Sequence, residues 1–477
     1  MAHRNDPAAT IRASSVRYRE IVADFAARIH RGDLPPGTRL PPERQLATQL
    51  GVHRSTVTVA YDELAADGLV ERRQGSGTTV RGDLWGVAPD WARYLAEGAF
   101  GPTAPLAERH REARAIPGMI DLVEGMIGPD LFPRAGLEHA ARALTIPAEL
   151  PYPDPRGEPR LRAAIAARYA AEYDLAVDPE RILVTTGGQQ AIYLIARALL
   201  RPGDAIGIEQ PSYYYSLPLF QSLGARLIPL PVDEQGVQPG GVLAAYTRYR
   251  LRFILVAPTY QNPTTTTLPL ERRRELLTIC GELNLPIVED DGYRQLSLDG
   301  TPPPALLALD RESRVIHLST LSKTVAPGIR VGWAVAPTPV IERLADIRRQ
   351  IDFGMSPLAQ WLVADLLAAP AWPAHLDRLR AALRVRRDAF AGHLTDAFGP
   401  ALYFATPAGG LHLWARWTGP GDDRRRLDAA IAAGVVFAPG RLYGAEEGWL
   451  RLGYARADGD QAAEAIRRLR RALTTLR

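Results

Sequence analysis

HLSTLSKTVAPGIRVGW, residues 317–333, contains Lys323, and no other lysine occurs in the chain. The sequence holds 57 lysines and arginines together, so one lysine leaves 56 arginines. A surface cation can be either residue, because a guanidinium solvates and pairs with carboxylates as an ammonium does. Arginine cannot lose its proton near neutral pH and attack a carbonyl. A lysine whose surroundings lower its pKa can, and it then forms a Schiff base. The lone lysine is thus a candidate covalent anchor for an aldehyde. A genome that replaced its other lysine codons would leave the same count, so the neighbouring residues have to decide.

Outward from Lys323, and from about residue 120 onward, short apolar runs alternate with helical patterns. RILVTTG precedes QQAIYLIARALL, and AIGIEQ, RFILVAP, LPIVEDD, RVIHLST and VGWAVAP are further runs bounded by turn residues. This alternation predicts an α/β fold with a mainly parallel sheet and crossover helices. Ligands of such sheets bind beyond the carboxyl ends of the strands, and the polar residues of interest fall there. Pyridoxal 5'-phosphate needs a lysine for its aldehyde, an anion cradle, a carboxylate for its ring nitrogen and donors for its phenolic oxygen. Lys323 is the candidate amine. Gly187, Gly188 and Gln189 end a strand and open a helix, whose free N–H groups bind phosphate. Thr320, Ser322 and Arg330 can complete that cradle. Asp290 is the candidate partner of the ring nitrogen, Tyr293 and Asn262 suit the phenolic oxygen, and Tyr213 could stack on the ring. Each has a plainer reading singly, as a turn, a cap or a core residue. All of them in this order at strand ends, around the only lysine, point to one pocket.

The first eighty residues carry a different pattern. VRYREIVADFAARIHRG places Tyr18, Ile21, Val22, Phe25 and Ile29 at helical spacing. After the turn LPPGTRLPPE come ERQLATQLG and VHRSTVTVAYDELAADG, two short helices joined by a tight turn, which is the helix-turn-helix signature. Arg54, Ser55, Thr56 and Thr58 fall near the start of the second helix, off its apolar face. LVERRQGSGTTV reads as two short strands around Gly75-Ser76-Gly77, with Arg72 and Arg73 placed to hold phosphates. Residues 1–82 hold 12 arginines against 9 acidic residues, a net of +3 out of the chain's +4. Most of the basic excess thus lies where DNA contact is expected.

Both halves resemble known families. GDLPPGTRLPPERQLATQLGVHRSTVTVAYDELAADGLVERRQGSGTTV is similar to the GntR-type winged helix. That resemblance implies DNA contacts by Arg44, Arg54, Ser55, Thr56 and the Gly75–Gly77 wing, with His53 where the family often has serine or asparagine; Thr58 is a groove-facing DNA-contact candidate by the helix pattern. IGPDLFP, YPDPRGEPRLRAAIAARY, TTGGQQAIYLIARALL, YQNPT, VEDDGY, STLSKTVAPGIRVGW and WLRLGYA resemble fold-type I aminotransferases. This second resemblance implies a small C-terminal α+β subdomain, a carboxylate-binding role for Arg451, and a homodimer in which Tyr152 reaches a phosphate in the neighbouring subunit. The fusion resembles the MocR/GabR-type transcription regulators. Many of these carry the tyrosine two residues after the aspartate. Here Gly292 intervenes, giving Asp290-x-x-Tyr293 as in working aminotransferases.

The expected organisation is a winged helix over 1–82, a connector and packing segment over 83–118 that includes Trp85, Trp91, Tyr94, Leu95 and Phe100, and an aminotransferase-like domain over 119–477. Its small subdomain is expected at about 375–477. The lone Cys280 excludes an internal disulfide and a thiolate metal cluster. The histidines form no close-spaced metal pattern, no apolar run reaches membrane-spanning length, and the N-terminus lacks an apolar signal core. A cytoplasmic protein without metal is therefore expected. Its expected function is regulation of transcription by an amino-acid or amine effector, or by pyridoxal phosphate itself, through imine exchange at Lys323. The alternative is an active aminotransferase acting on amino acids and 2-oxo acids.

Overall fold

A computed structural model describes residues 7–73, 77–81, 98–101 and 103–476. The chain divides into two compact units, Met1–Pro102 and Thr103–Arg477. The expected connector at 83–118 straddles that division.

In the first unit, helices α1 (Pro7–His30), α2 (Glu43–Leu50) and α3 (Arg54–Ala66) precede a hairpin of β1 (Val70–Arg73) and β2 (Gly77–Val80). The apolar spacing explains the packing: Ile21, Phe25 and Ile29 of α1 share one core with Val57, Ala60, Tyr61 and Leu64 of α3. α2 stops at Gly51, left-handed at φ 63°, whose N–H reaches back to carbonyls of the last turn; glycine permits that ending without strain. The segment before α2 runs along the hairpin, with Gly37 N–H on the Val80 carbonyl at 2.9 Å and Leu40 N–H on that of Thr78 at 2.8 Å. The unit is a winged helix-turn-helix. Gly75 at the wing tip lies outside the described residues, as do Trp85, Trp91, Tyr94 and Leu95. Phe100, expected to pack, is exposed.

The second unit is built on eight strands: β4 (Ile182–Thr185), β5 (Ala205–Gln210), β6 (Arg226–Asp233), β7 (Gly236–Val237), β8 (Ile254–Val256), β9 (Ile287–Asp290), β10 (Val315–Thr320) and β11 (Gly332–Val335). Their spatial order is β4-β11-β10-β9-β8-β5-β6-β7. β11 is antiparallel to both neighbours and β7 to β6, while the central pairs are parallel. Both faces are covered, so the strands read as unbroken apolar runs. Ile182 and Val184 enter one core and Leu183 the other. The C-terminal ends of β4, β5, β8, β9 and β10 share one edge, which positions the site.

A smaller antiparallel sheet, ordered β12 (Leu402–Phe404), β13 (His412–Trp417), β16 (Trp449–Gly453) and β15 (Ala438–Pro439), packs with the helices Trp372–Phe398 and Gly459–Thr474. The subdomain built on it is not confined to the C-terminal quarter. β3 (Ile120–Asp121) pairs in parallel with β14 (Val435–Val436), and Ala113, Leu122, Val123 and Ile127 enter the same core. The small subdomain expected at about 375–477 thus includes residues from 113 to 127, because a strand pairing far apart in sequence completes it. Among the described residues no helix is long and apolar enough to cross a membrane.

Candidate functional site

Lys323 lies just beyond the end of β10. Its Nζ donates to the Gly125 carbonyl at 2.8 Å and sits 5.5 Å from the centre of the Tyr293 ring. Burial pushes the Lys323 ammonium down to about 8, and the Arg451 guanidinium adds to this while Asp290 and Glu124 oppose it. Burial raises the Tyr293 hydroxyl to about 12, so it stays protonated and able to donate. A Cβ at Gly125 would stand 3.2 Å from Tyr293 Oη and 3.6 Å from Lys323 Nζ. Glycine there keeps open the space over the amine, and sequence reasoning missed it.

Asp290 closes β9. Its carboxylate accepts from Tyr214 Oη at 2.6 Å and from the Gly292 N–H at 3.2 Å. Burial lifts Tyr214 well above the ordinary tyrosine range, so the hydroxyl keeps its proton and donates. Tyr214 was also missed: nothing in the run YYY marks its second tyrosine. The first, Tyr213, accepts from Gln189 Nε2 at 3.0 Å, which ties the candidate stacking ring to the helix that opens at Gly188.

That helix, α4 (Gly188–Leu199), starts after Gly187, whose φ is 79°. A Cβ on Gly187 would come within 2.7 Å of Arg330 Nη2, whereas one on Gly188 would meet nothing within 4 Å. Arg330 donates to the Thr186 carbonyl at 2.7 Å, and Thr320 Oγ1 donates to Ser322 Oγ at 3.0 Å. The returning strand β11 lies between β4 and β10, so Gly188, Gln189, Thr320, Ser322 and Arg330 gather around one helix N-terminus.

Arg451 of β16 donates to Asn262 Oδ1 at 2.9 Å and to the Val123 carbonyl, leaving the Asn262 NH2 as a donor. Its guanidinium lies 5.1 Å from the Tyr443 ring centre, and its Nε is buried without a partner among the described residues. Tyr152 stands apart, 83% exposed, its ring 5.1 Å from the exposed Phe353. An amine of lowered pKa, an open helix N-terminus, a carboxylate at a strand end and two donors meet the four demands of pyridoxal phosphate. Lys323, Gly188, Gln189, Thr320, Ser322, Arg330, Asp290, Tyr293, Asn262 and Tyr213 would hold it.

A second cluster lies on the opposite face of β9. His317 Nδ1 is 3.0 Å from Glu289 Oε2, and His317 Nε2 is 4.0 Å from Asp291 Oδ2, all fully buried. These groups lie within 4.8 Å of one another, a proximity invisible in sequence. Glu289 is already engaged by the Leu306 and Leu307 N–H groups, and Arg294 faces Asp291 at 3.9 Å. We therefore read a buried charge cluster rather than a metal site.

In the winged helix, His53 caps α3, its Nδ1 accepting from Ser55 N–H at 3.4 Å and lying 2.7 Å from Ser55 Oγ. It thus supplies the cap that a serine or asparagine would. Arg44, Arg54 and Ser55 are exposed. Thr56 is 8% exposed; its side chain turns into the core, so the expected DNA contact by that side chain is corrected. Thr58 donates to Glu43 Oε2 at 3.0 Å. Glu43, which sequence reasoning missed, also takes Arg54 at 3.1 Å and Arg72, and Arg72 pairs with Asp62 too. Arg72, read as a phosphate contact, instead ties the wing to α2 and α3. Gly77 holds φ 87°, and a Cβ on it would stand 3.0 Å from the Arg39 side chain.

Comparison with known proteins matches the profile of the aminotransferase class I and II family to residues 119–469 and that of the bacterial regulatory proteins of the gntR family to residues 17–80. The chain is 35% identical over 466 residues to the uncharacterized HTH-type transcriptional regulator YisV of Bacillus subtilis, covering 95% of this chain and 96% of that one. It is 29% identical over 434 residues to the HTH-type transcriptional regulator NorG of Staphylococcus aureus, covering 90% and 98%. Among solved structures, the alpha-aminoadipate aminotransferase LysN of Thermus thermophilus, complexed with N-(5'-phosphopyridoxyl)-L-leucine, superposes with a TM-score of 0.71 at 32% identity, covering 78% of this chain and 97% of that one. The kynurenine aminotransferase of Pyrococcus horikoshii gives 0.75 at 26% identity, covering 81% and 98%.

Proposed function

This chain belongs to the aminotransferase class I and II family, fused to a gntR-family winged helix as in the MocR/GabR-type transcription regulators, and from that premise we propose that it regulates transcription according to which amine occupies its Lys323 pocket. Its cofactor is pyridoxal 5'-phosphate, which supplies when bound an aldehyde and an electron-withdrawing ring. Lys323 contributes the amine that the aldehyde takes up. Gly188, Gln189, Thr320, Ser322 and Arg330 bind the phosphate, and Tyr213 covers the ring. Asp290 faces the ring nitrogen, and Tyr293 and Asn262 donate to the phenolic oxygen. An effector amine would compete with Lys323 for this pocket, and the unpartnered Nε of Arg451 would donate to its carboxylate. The exposed Tyr152 supports a homodimer in which it reaches the neighbouring phosphate. Paired winged helices then read two half-sites of double-stranded DNA, a role that fits a cytoplasmic protein.

The observation that carries this reading is the buried Lys323 amine, lowered to about 8 and met by the donors just named. The test is direct. Purified protein mixed with pyridoxal phosphate is expected to gain a violet absorbance band, which amino compounds shift, and the same compounds change its affinity for its own upstream DNA. A protein that stays colourless sinks the proposal. The Asp290-x-x-Tyr293 spacing favours a second reading as a working aminotransferase, in which the released Lys323 amine moves a proton from the amino acid's alpha carbon. Sustained turnover with a 2-oxo acid and no specific DNA binding would select it.

A further inference from the structure

The face that α3 turns to solvent carries Arg54, Ser55, Val59 and Asp62, one helical turn after another. Three of them are polar. Val59 is 46% exposed, while Val57, Ala60 and Leu64 of the same helix are fully buried. A lone exposed valine on a surface needs no explanation. This one lies a turn beyond Ser55 on the N-terminal half of a recognition helix, where side chains meet base edges in the major groove. The charges around it are already engaged: Arg54 with Glu43, and Asp62 with Arg72. Val59 is therefore an uncharged, branched apolar knob inside a ring of internally paired groups. The major groove presents one apolar feature, the 5-methyl group of thymine.

We propose that Val59 is a specificity-determining residue that packs against a thymine 5-methyl group in each operator half-site. The assignment rests on the DNA-binding reading above and adds the base and the atom. Val59 accepts no hydrogen bond, so it selects by contact alone. Cytosine, which has no methyl group, would leave its side chain facing a void.

The test needs no knowledge of the natural operator. Full-length protein loaded with pyridoxal phosphate selects a high-affinity sequence from random duplexes. Each thymine of that sequence is then replaced singly by deoxyuridine, which removes only the methyl group, and affinity is read by fluorescence anisotropy. One thymine per half-site is expected to lose about fourfold, the worth of one buried methyl group. Val59→Ala is expected to lose a similar factor on the thymine operator and to be indifferent to uracil at that position. If every thymine tolerates the exchange, or if the loss persists undiminished in Val59→Ala, the assignment is wrong. If no sequence is enriched, the DNA-binding reading itself fails. The uracil exchange leaves the protein unchanged, so misfolding cannot mimic the result.

Discussion

Lys323 shows what one residue's surroundings do. Its ammonium, lowered to about 8 by burial and by Arg451, supplies the reactive neutral amine only as pH climbs. The rate at which the cofactor-free protein captures pyridoxal phosphate is expected to rise up to about pH 8 and then level off, and Lys323→Arg is expected to capture none. Rapid-mixing absorbance reads both. Tyr214 acts through Asp290. Removing a hydroxyl that donates to a charged carboxylate costs about 2 kcal/mol. Tyr214→Phe is therefore expected to weaken cofactor binding about thirtyfold and to shift the pH at which the bound cofactor changes colour; an unchanged colour titration would leave Tyr214 as mere packing. His317 offers a test of sign. Burial alone would lower it, but the Glu289 carboxylate at 3.0 Å overrides this and raises it above its ordinary 6.5. Burial and the neighbouring Glu289 likewise raise Asp291. Both groups bind protons more tightly when folded, so their stabilisation is present at low pH and lost as pH rises past the raised values. His317→Phe is expected to cost roughly 3 kcal/mol at pH 6 and to flatten that decline, as read by denaturant unfolding across pH.

At the scale of elements, one acid bridges the helix-turn-helix and the wing. Glu43 joins α2 to α3 through Arg54 and Thr58 and to β1 through Arg72. Glu43→Gln is expected to lower the melting temperature of the winged helix and to free Arg54 for phosphate, while Arg72 stays paired with Asp62. Non-specific DNA affinity then rises and its salt dependence steepens by about one unit; a shallower dependence contradicts the reading. The turn from β4 into α4 is as tightly specified. Gly187 combines φ 79° with a guanidinium where its Cβ would be, a conformation that strains other residues by about 1–3 kcal/mol. Gly187→Ala is expected to displace Arg330 and weaken phosphate capture, measured as pyridoxal phosphate affinity, while leaving DNA binding intact. The elements themselves were legible in advance. α2, α3 and the two wing strands follow from Gly51, the Pro-rich turn and the apolar spacing, and the buried strands from unbroken apolar runs. Thr56 was misjudged because it borders the apolar stripe of Val57, Ala60 and Leu64, one turn before Ala60, and a border position is buried or exposed according to how the stripe packs.

Across the whole second unit, Arg451 links the small sheet to the large one through Asn262 after β8, and holds Val123 after β3 within the small subdomain. Its unpartnered Nε is the donor left for the effector carboxylate proposed above. Arg451→Ala is expected to keep the cofactor and lose the response to amines bearing a carboxylate, while amines without one still act; titrating both classes against the absorbance band checks it. The sequence by itself determined the two-part organisation, the mainly parallel sheet, and a candidate set of residues for an aldehyde pocket. These rest on local signals: periodicity, turn chemistry and a single reactive amine. The tertiary structure alone decided that residues 113–127 complete the small subdomain, that Tyr214 and Gly125 attend Asp290 and Lys323, that Glu43 rather than phosphate holds Arg72, and that Glu289, Asp291 and His317 meet in the core. Each of those depends on segments distant in the chain coming within a few ångströms. Periodicity and spacing carry no record of such meetings, because they arise from how the elements pack together, not from any one of them.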